Sequence, residues 1–190
     1  MEKEFQQQPS NCLRVVLYGP ESTGKTTIAK ALAQYYNTQW VPEFARDYLQ
    51  KKWDLHQETC TKEDLLVIAK GQLQAENQAI RTAQNFLFCD TNILVTRVWS
   101  ETHFNGYCNP ILKSWSEQWH YDYYFLTDID VPWQADDLRD RPHDRKEMHT
   151  YFEGILREKK HPYTYLTGNI KTRMNTAISV LNALNHDKTC

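Results

Sequence analysis

Residues 13–27 read LRVVLYGPESTGKTT, and this stretch decides the fold. Its first six residues, Leu13–Tyr18, form a short apolar run with two valines, the pattern of a buried strand. Gly19-Pro20-Glu21-Ser22-Thr23-Gly24-Lys25-Thr26 follows and satisfies GxxxxGK[ST]. Ile28, Ala29, Leu32 and Ala33 then recur at helical spacing. Strand, glycine turn and helix in that order are the context a phosphate-binding loop requires. Glycines let the backbone turn so that several N–H groups face the phosphates, and the helix start adds a positive dipole end. The Lys25 ammonium can reach the β- and γ-phosphates, and the Thr26 hydroxyl can hold Mg²⁺. The expected nucleotide-binding set is therefore Gly19, Glu21, Ser22, Thr23, Gly24, Lys25, Thr26 and Thr27, with Lys25 also catalytic. The loop identifies a bound nucleotide, ATP with Mg²⁺, and leaves the acceptor open.

Working outward, strand patterns recur at 38–41, 85–90, 123–126 and 162–166, alternating with helical patterns at 25–36, 44–51, 61–83, 93–101, 111–120, 144–159 and 170–184. Thr61, with Asp64 three residues on, reads as the cap of the longest of these helices. Such alternation predicts a three-layer α/β P-loop fold with a mainly five-stranded parallel sheet. The polar, Gln-rich residues 1–11 read as a flexible lead-in, and 12–190 as one domain. Residues 127–145 carry two prolines and no periodicity, a long connection with the character of a lid.

The chain has 190 residues, enough for one domain with a real core. Its net charge of −2 argues against a nucleic-acid binder. No stretch approaches the roughly 20 apolar residues that span a bilayer. The N-terminus lacks the apolar core of a secretory signal, so a cytoplasmic location is expected. Five scattered cysteines without a CxxC pair argue against a disulfide framework or a zinc site.

Ligands of open α/β sheets bind beyond the carboxyl ends of the strands, which singles out five segments. Asp90 ends the run FLFCD, where an aspartate either faces Mg²⁺ or caps the helix that Thr91 and Asn92 begin. Glu43, in VPEFARDY, either takes the proton of an attacking hydroxyl or complements a helix start. Arg46 lies three residues further on the same helical face, paired with Glu43 or touching the acceptor. The connection carries Arg139 and Arg141, with Arg145 just beyond, as candidate cations for the migrating phosphoryl group. Trp40, Phe44 and Trp133 flank these segments and stack on a ligand ring or pack. Trp115 and Trp119, four apart, read as packing. Thr167-Gly168-Asn169 follows the last strand, with Asn169 a candidate contact to the nucleotide.

GPESTGKTT, PEFARDYL, FCDTN and PWQADDLRDRP together resemble the ribosylnicotinamide kinase domain of NadR-type NAD biosynthesis proteins, within the wider NadR/Ttd14-like group of P-loop ATPases. The likeness runs from Arg14 to about Leu184. It implies ATP-dependent phosphorylation of the 5′-hydroxyl of nicotinamide riboside, giving nicotinamide mononucleotide. It implies a phosphate and Mg²⁺ role for Gly24, Lys25, Thr26 and Asp90, a place near the nucleoside for Glu43, Phe44 and Arg46, and a lid around Arg139 and Arg141. The chain has no HxGH-type motif, so adenylyl transfer is not expected. Asn92 stands where DT[DN] can carry a second acid. The alternatives are a P-loop kinase of another nucleoside and a non-kinase ATP-binding module that signals to a partner.

Overall fold

The computed structural model describes residues 5–139 and 141–187, with the side chains of His186 and Asp187 set aside. Five strands alternate with seven helices: β1 (Leu13–Tyr18), α1 (Lys25–Tyr35), β2 (Gln39–Val41), α2 (Phe44–His56), α3 (Lys62–Ala79), β3 (Phe86–Asp90), α4 (Ile93–His103), α5 (Pro110–Gln118), β4 (Tyr123–Thr127), α6 (Arg145–Glu158), β5 (Tyr163–Leu166) and α7 (Ile170–Asp187). All strands are parallel, in the order β2-β3-β1-β4-β5. The three-layer α/β P-loop fold is as expected, and most element bounds agree within a few residues.

β1 is central, and all six of its residues are buried. Leu13, Val15 and Leu17 point to one face, where Ile28, Ala29 and Leu32 of α1 and Ala177 and Leu181 of α7 cover them. Val16 and Tyr18 point to the other, against Leu65, Ala69 and Leu73 of α3, Ile93 and Val98 of α4, Trp115 of α5 and Phe152 of α6. Each fully buried side chain of this size contributes roughly 1.5–3 kcal/mol. Trp115 and Trp119 are core, as expected. β1 sits between β3 and β4, so the chain leaves it at the point where strand order reverses. That is where open sheets hold ligands.

Two expectations change. The segment read as a flexible lead-in is docked where it is described: Phe5 is 2% exposed. Its ring meets Trp115 at 5.1 Å, and its carbonyl accepts from Trp119 Nε1 at 2.9 Å. Asn77 Oδ1 accepts from Gln8 N and Asn77 Nδ2 donates to the Gln6 carbonyl, each at 2.9 Å. One aromatic side chain in a polar segment is enough to anchor it. Residues 1–4 lie outside the described residues.

The second change is α2, which continues to His56 and contains no buried residue. Polar contacts hold it instead. Asp64 of α3 accepts from Tyr48 at 2.8 Å and pairs with Lys52 at 2.7 Å. Asp64 also accepts from the Thr61 N–H at 2.7 Å, fulfilling the cap read from sequence. At the start of α2, the Phe44 ring lies over Gly71, where a Cβ would come within 2.3 Å of it. No described helix is long and apolar enough to cross a membrane.

Candidate functional site

Between β1 and α1 the backbone turns through three residues in the left-handed region: Gly19 (φ 135°) at the start, Ser22 (φ 56°) and Gly24 (φ 83°), which caps α1. At Gly19 a Cβ would fall 2.8 Å from Thr127 Oγ1, so only glycine fits against the end of β4. Thr23 is buried. Its hydroxyl shares a 2.7 Å hydrogen bond with Thr127 and donates to the Pro20 carbonyl at 2.8 Å. Lys25 Nζ donates to that same carbonyl at 2.6 Å, so the ammonium lies across the loop. Thr26 Oγ1 donates to Asp90 Oδ2 at 2.5 Å.

Asp90 is 1% exposed, and its Oδ1 is buried with no hydrogen-bond partner. An acceptor of that kind, beside a hydroxyl at the mouth of a phosphate loop, fits a hard cation with oxygen ligands. Burial pushes the Asp90 carboxyl above its usual range, against the pull of Lys25 and the Thr26 hydroxyl. Glu43 sits at the N-cap of α2 without a side-chain cap bond, so its carboxylate does not serve the helix. Its burial raises its pKa, Lys25 opposes that, and Asp90 pushes it up further. Two carboxylates and one lysine therefore share a single electrostatic centre.

A cavity of about 650 Å³ joins these groups. Gly19, Glu21, Ser22, Thr23, Gly24, Lys25, Thr26 and Thr27 line one part; Glu43, Arg46, Asp90 and Arg139 line it further on. Its far wall is apolar and aromatic, with Trp40, Leu65, Ile68, Val95 and Trp99.

The long connection crosses the loop rather than standing away from it. Gln134 N donates to Ser22 Oγ at 2.8 Å, and Arg145 Nη2 donates to the Ser22 carbonyl at 3.1 Å. Asp136 pairs with Arg46 and, at 3.2 Å, with Arg139. Burial alone would raise Asp136; the Arg46 bond and the Leu138 N–H hold it below the usual carboxylate range. Arg46 is thus paired across to the connection. Asp140 lies outside the described residues.

Residues 14–173 match the family described as an AAA domain. The chain belongs to this family. Trifunctional NAD biosynthesis/regulator protein NadR of Escherichia coli (strain K12) is 29% identical over 146 residues, 76% of this chain and 35% of that protein. The crystal structure of NadR protein in complex with NR superposes with a TM-score of 0.71 at 21% identity, covering 91% of this chain and 51% of that one. A deoxyadenosine kinase from M. mycoides, solved with dCMP and dCDP, superposes with a TM-score of 0.65 at 11% identity over 90% of this chain and 100% of its own. This AAA domain therefore spans about a third of its curated NadR relative, and its fold is that of P-loop nucleoside kinases.

Three candidates from the sequence stand elsewhere in this AAA domain. Phe44 does not line the cavity: its ring fills the space over Gly71 and stacks on Tyr48 at 6.1 Å, anchoring α2 to α3. Arg141 does not line the cavity: it donates to the Thr102 carbonyl at 3.1 Å, where the last turn of α4 presents its negative end. Arg145, at the end of the connection, reaches the loop instead. Asn169 caps α7, accepting from Thr172 N at 3.0 Å, while its neighbours Gly168 and Ile170 line the cavity. Asn92 is likewise a cap: it is fully buried and accepts from Val95 N at 3.3 Å.

Two residues of this AAA domain went unread. Arg173 is 2% exposed. It donates to the Thr23 carbonyl at 2.6 Å, to Gly168 O at 2.9 Å and to Asp128 O at 3.1 Å, and pairs with Asp130. It ties the phosphate loop to the segments after β4 and β5, and a lone arginine in a helix gives no motif to find it by. Gln72 lines the cavity from α3. A signal for it existed: it falls on the apolar stripe of Leu65, Ile68, Ala69 and Leu73, where a polar residue needs a reason.

Proposed function

We propose that this chain is an ATP-dependent nucleoside kinase, and that it phosphorylates the 5′-hydroxyl of nicotinamide riboside to give nicotinamide mononucleotide. One observation carries the reading: Lys25, the Thr26–Asp90 pair and Glu43 converge on one cavity with room for a triphosphate and a nucleoside. ATP lies on the phosphate loop, its γ-phosphate near Lys25. Thr26 and Asp90 would hold Mg²⁺, which would offset the charge of the phosphates. The apolar and aromatic wall takes the nucleoside. Glu43 accepts the hydroxyl proton as the bond from O5′ to phosphorus forms and the bond from phosphorus to the ADP oxygen breaks. A raised pKa suits Glu43 to that task, because a base works best with a pKa near the operating pH. Arg139 and Arg46 supply positive charge near the migrating group, and the connection at 128–144 covers it.

The similarity to NadR supports the riboside as acceptor. The likeness to a deoxyadenosine kinase supports a deoxynucleoside as the second reading. A cytoplasmic location is part of the same proposal. The test incubates the protein with ATP, Mg²⁺ and nicotinamide riboside and follows ADP and the mononucleotide by chromatography, with Lys25→Ala as the control. Mononucleotide formation lost in the variant is the expected result. ADP release that ignores the riboside overturns this acceptor, and a nucleoside panel then decides the second reading.

A further inference from the structure

Gln72 and Glu76 lie one turn apart on the buried face of α3, with Gln72 at the cavity wall and Glu76 behind it, 1% exposed. Phe44 N donates to Gln72 Oε1 at 3.1 Å. Phe44 is the first residue of α2, so its N–H is one of the donors that a helix start leaves without an intrahelical partner. Gln72 Nε2 in turn donates to Glu76 Oε1 at 3.3 Å. A carboxamide can turn over, exchanging its oxygen and nitrogen. Turned over, Gln72 would set its NH₂ against the Phe44 N–H, donor against donor. Glu76 opposes this, because the oxygen it turns to Gln72 accepts from the carboxamide nitrogen and that bond would be lost.

We propose that Glu76 is a positioning residue for the acceptor side of the cavity: through Gln72 it fixes the Phe44 N–H, and so holds the preceding Glu43 against the phosphate loop. The inference rests on the role given to Glu43 above. The groups that face Glu76 are Gln72 on its own helix, Arg14 on β1, Cys89 on β3, Tyr121 just ahead of β4 and Tyr124 on β4. Arg14 is the one cation among them, and burial prevails, pushing Glu76 up to about 8. That direction favours the neutral acid, whose carbonyl oxygen can still accept from Gln72. A neutral carboxyl in the core costs far less than a charge, which explains how an acid serves there.

The experiment compares Glu76→Leu, which removes the acceptor oxygen at similar volume, with Glu76→Gln, which keeps one. Hydrogen exchange at the Phe44 amide is read on the full chain without ligands. Kinetics are then read with whichever nucleoside the wild type phosphorylates. In Glu76→Leu the amide should exchange about tenfold faster, the effect of losing one neutral hydrogen bond. The acceptor kcat/KM should fall by a similar factor, while affinity for a non-hydrolysable ATP analogue stays unchanged. Glu76→Gln should restore both. Unchanged exchange in Glu76→Leu, or equal losses for acceptor and ATP analogue, overturns the inference. Should Glu76→Leu not fold, Gln72→Met replaces it, with the same two outcomes. If the wild type phosphorylates no nucleoside, the kinase reading fails alone, and the exchange measurement still decides the role of Glu76.

Discussion

The two sides of the cavity are built differently. The phosphate loop grows out of β1, whose residues are buried on both faces, and it is tied down by Thr127, Arg173 and the Pro20 carbonyl. The side proposed for the acceptor rests on α2, a helix with no buried residue, held by Asp64, Asp136, Gln72 and one aromatic ring over a glycine. Apolar burial is non-directional and collective, so it makes a rigid base. The Arg46–Asp136 pair is partly exposed; a pair of that kind is worth little individually and can be exchanged for a contact to a ligand. In the proposed kinase, rigidity would lie under the triphosphate, and exchangeable contacts where the acceptor enters and leaves.

Substitutions can break or sharpen this contrast. Lys25→Ala should lower kcat about 10²–10³-fold, the cost of one preorganised charge contact, with little change in a urea melt. Activity that survives would show that the loop side does not carry the chemistry.

Glu43→Gln should cost about 10²-fold or more as a lost general base. The sign with pH is set: Glu43 works ionised, and its pKa is raised, so wild-type kcat/KM should fall with acid at a pH above the ordinary glutamate value. That limb should change in the variant, leaving the part that belongs to Asp90, which is raised too.

Arg173→Met should destabilise by about 3 kcal/mol, because it leaves three carbonyls without this donor and Asp130 without its paired charge. It should weaken binding of an ATP analogue before it touches the acceptor KM. Gly71→Ala should cost about 1–3 kcal/mol by overpacking against Phe44, and should raise the acceptor KM. Asp136→Asn should change stability by less than about 1 kcal/mol, as a partly exposed pair does. Its acceptor KM should nevertheless rise and lose salt sensitivity. Equal effects of Arg173→Met and Gly71→Ala on both substrates would erase the contrast.

The same contrast governs how much was legible in the sequence. The three central strands were, because buried parallel strands are continuous apolar runs, while the half-exposed edge strands β2 and β5 gave weaker patterns. The loop was legible because GxxxxGK[ST] encodes its backbone geometry residue by residue. Asp90 and Glu43 could be named from strand ends, since the fold brings those ends to one edge. The length of α2 was not legible: Ala45, Leu49 and Trp53 stand four apart, but none of its residues is buried, and its support comes from residues on other segments, such as Asp64 and Asp136. Arg141 and Arg145 could not be told apart, because sequence does not say which way a connection turns after Pro142. Phe44 misled for a related reason. Its place is decided by the missing side chain of Gly71, 27 positions away. Phe5 marks the reverse case, a segment polar in composition but docked by a single ring.

The strand order has a consequence for how the molecule comes to exist. β1 emerges first, yet it pairs with β3 on one side and β4 on the other, and Arg14 N reaches Asp122 across 108 positions. No local hairpin can shelter it in the meantime. This strand, buried along all six residues and carrying the phosphate loop at its end, waits with one edge open until about half of the sequence has been made and the other until roughly two-thirds. Folding that depends on such distant pairings is slow, and open strand edges recruit other chains. Refolding from denaturant should therefore give its best yields in dilute solution.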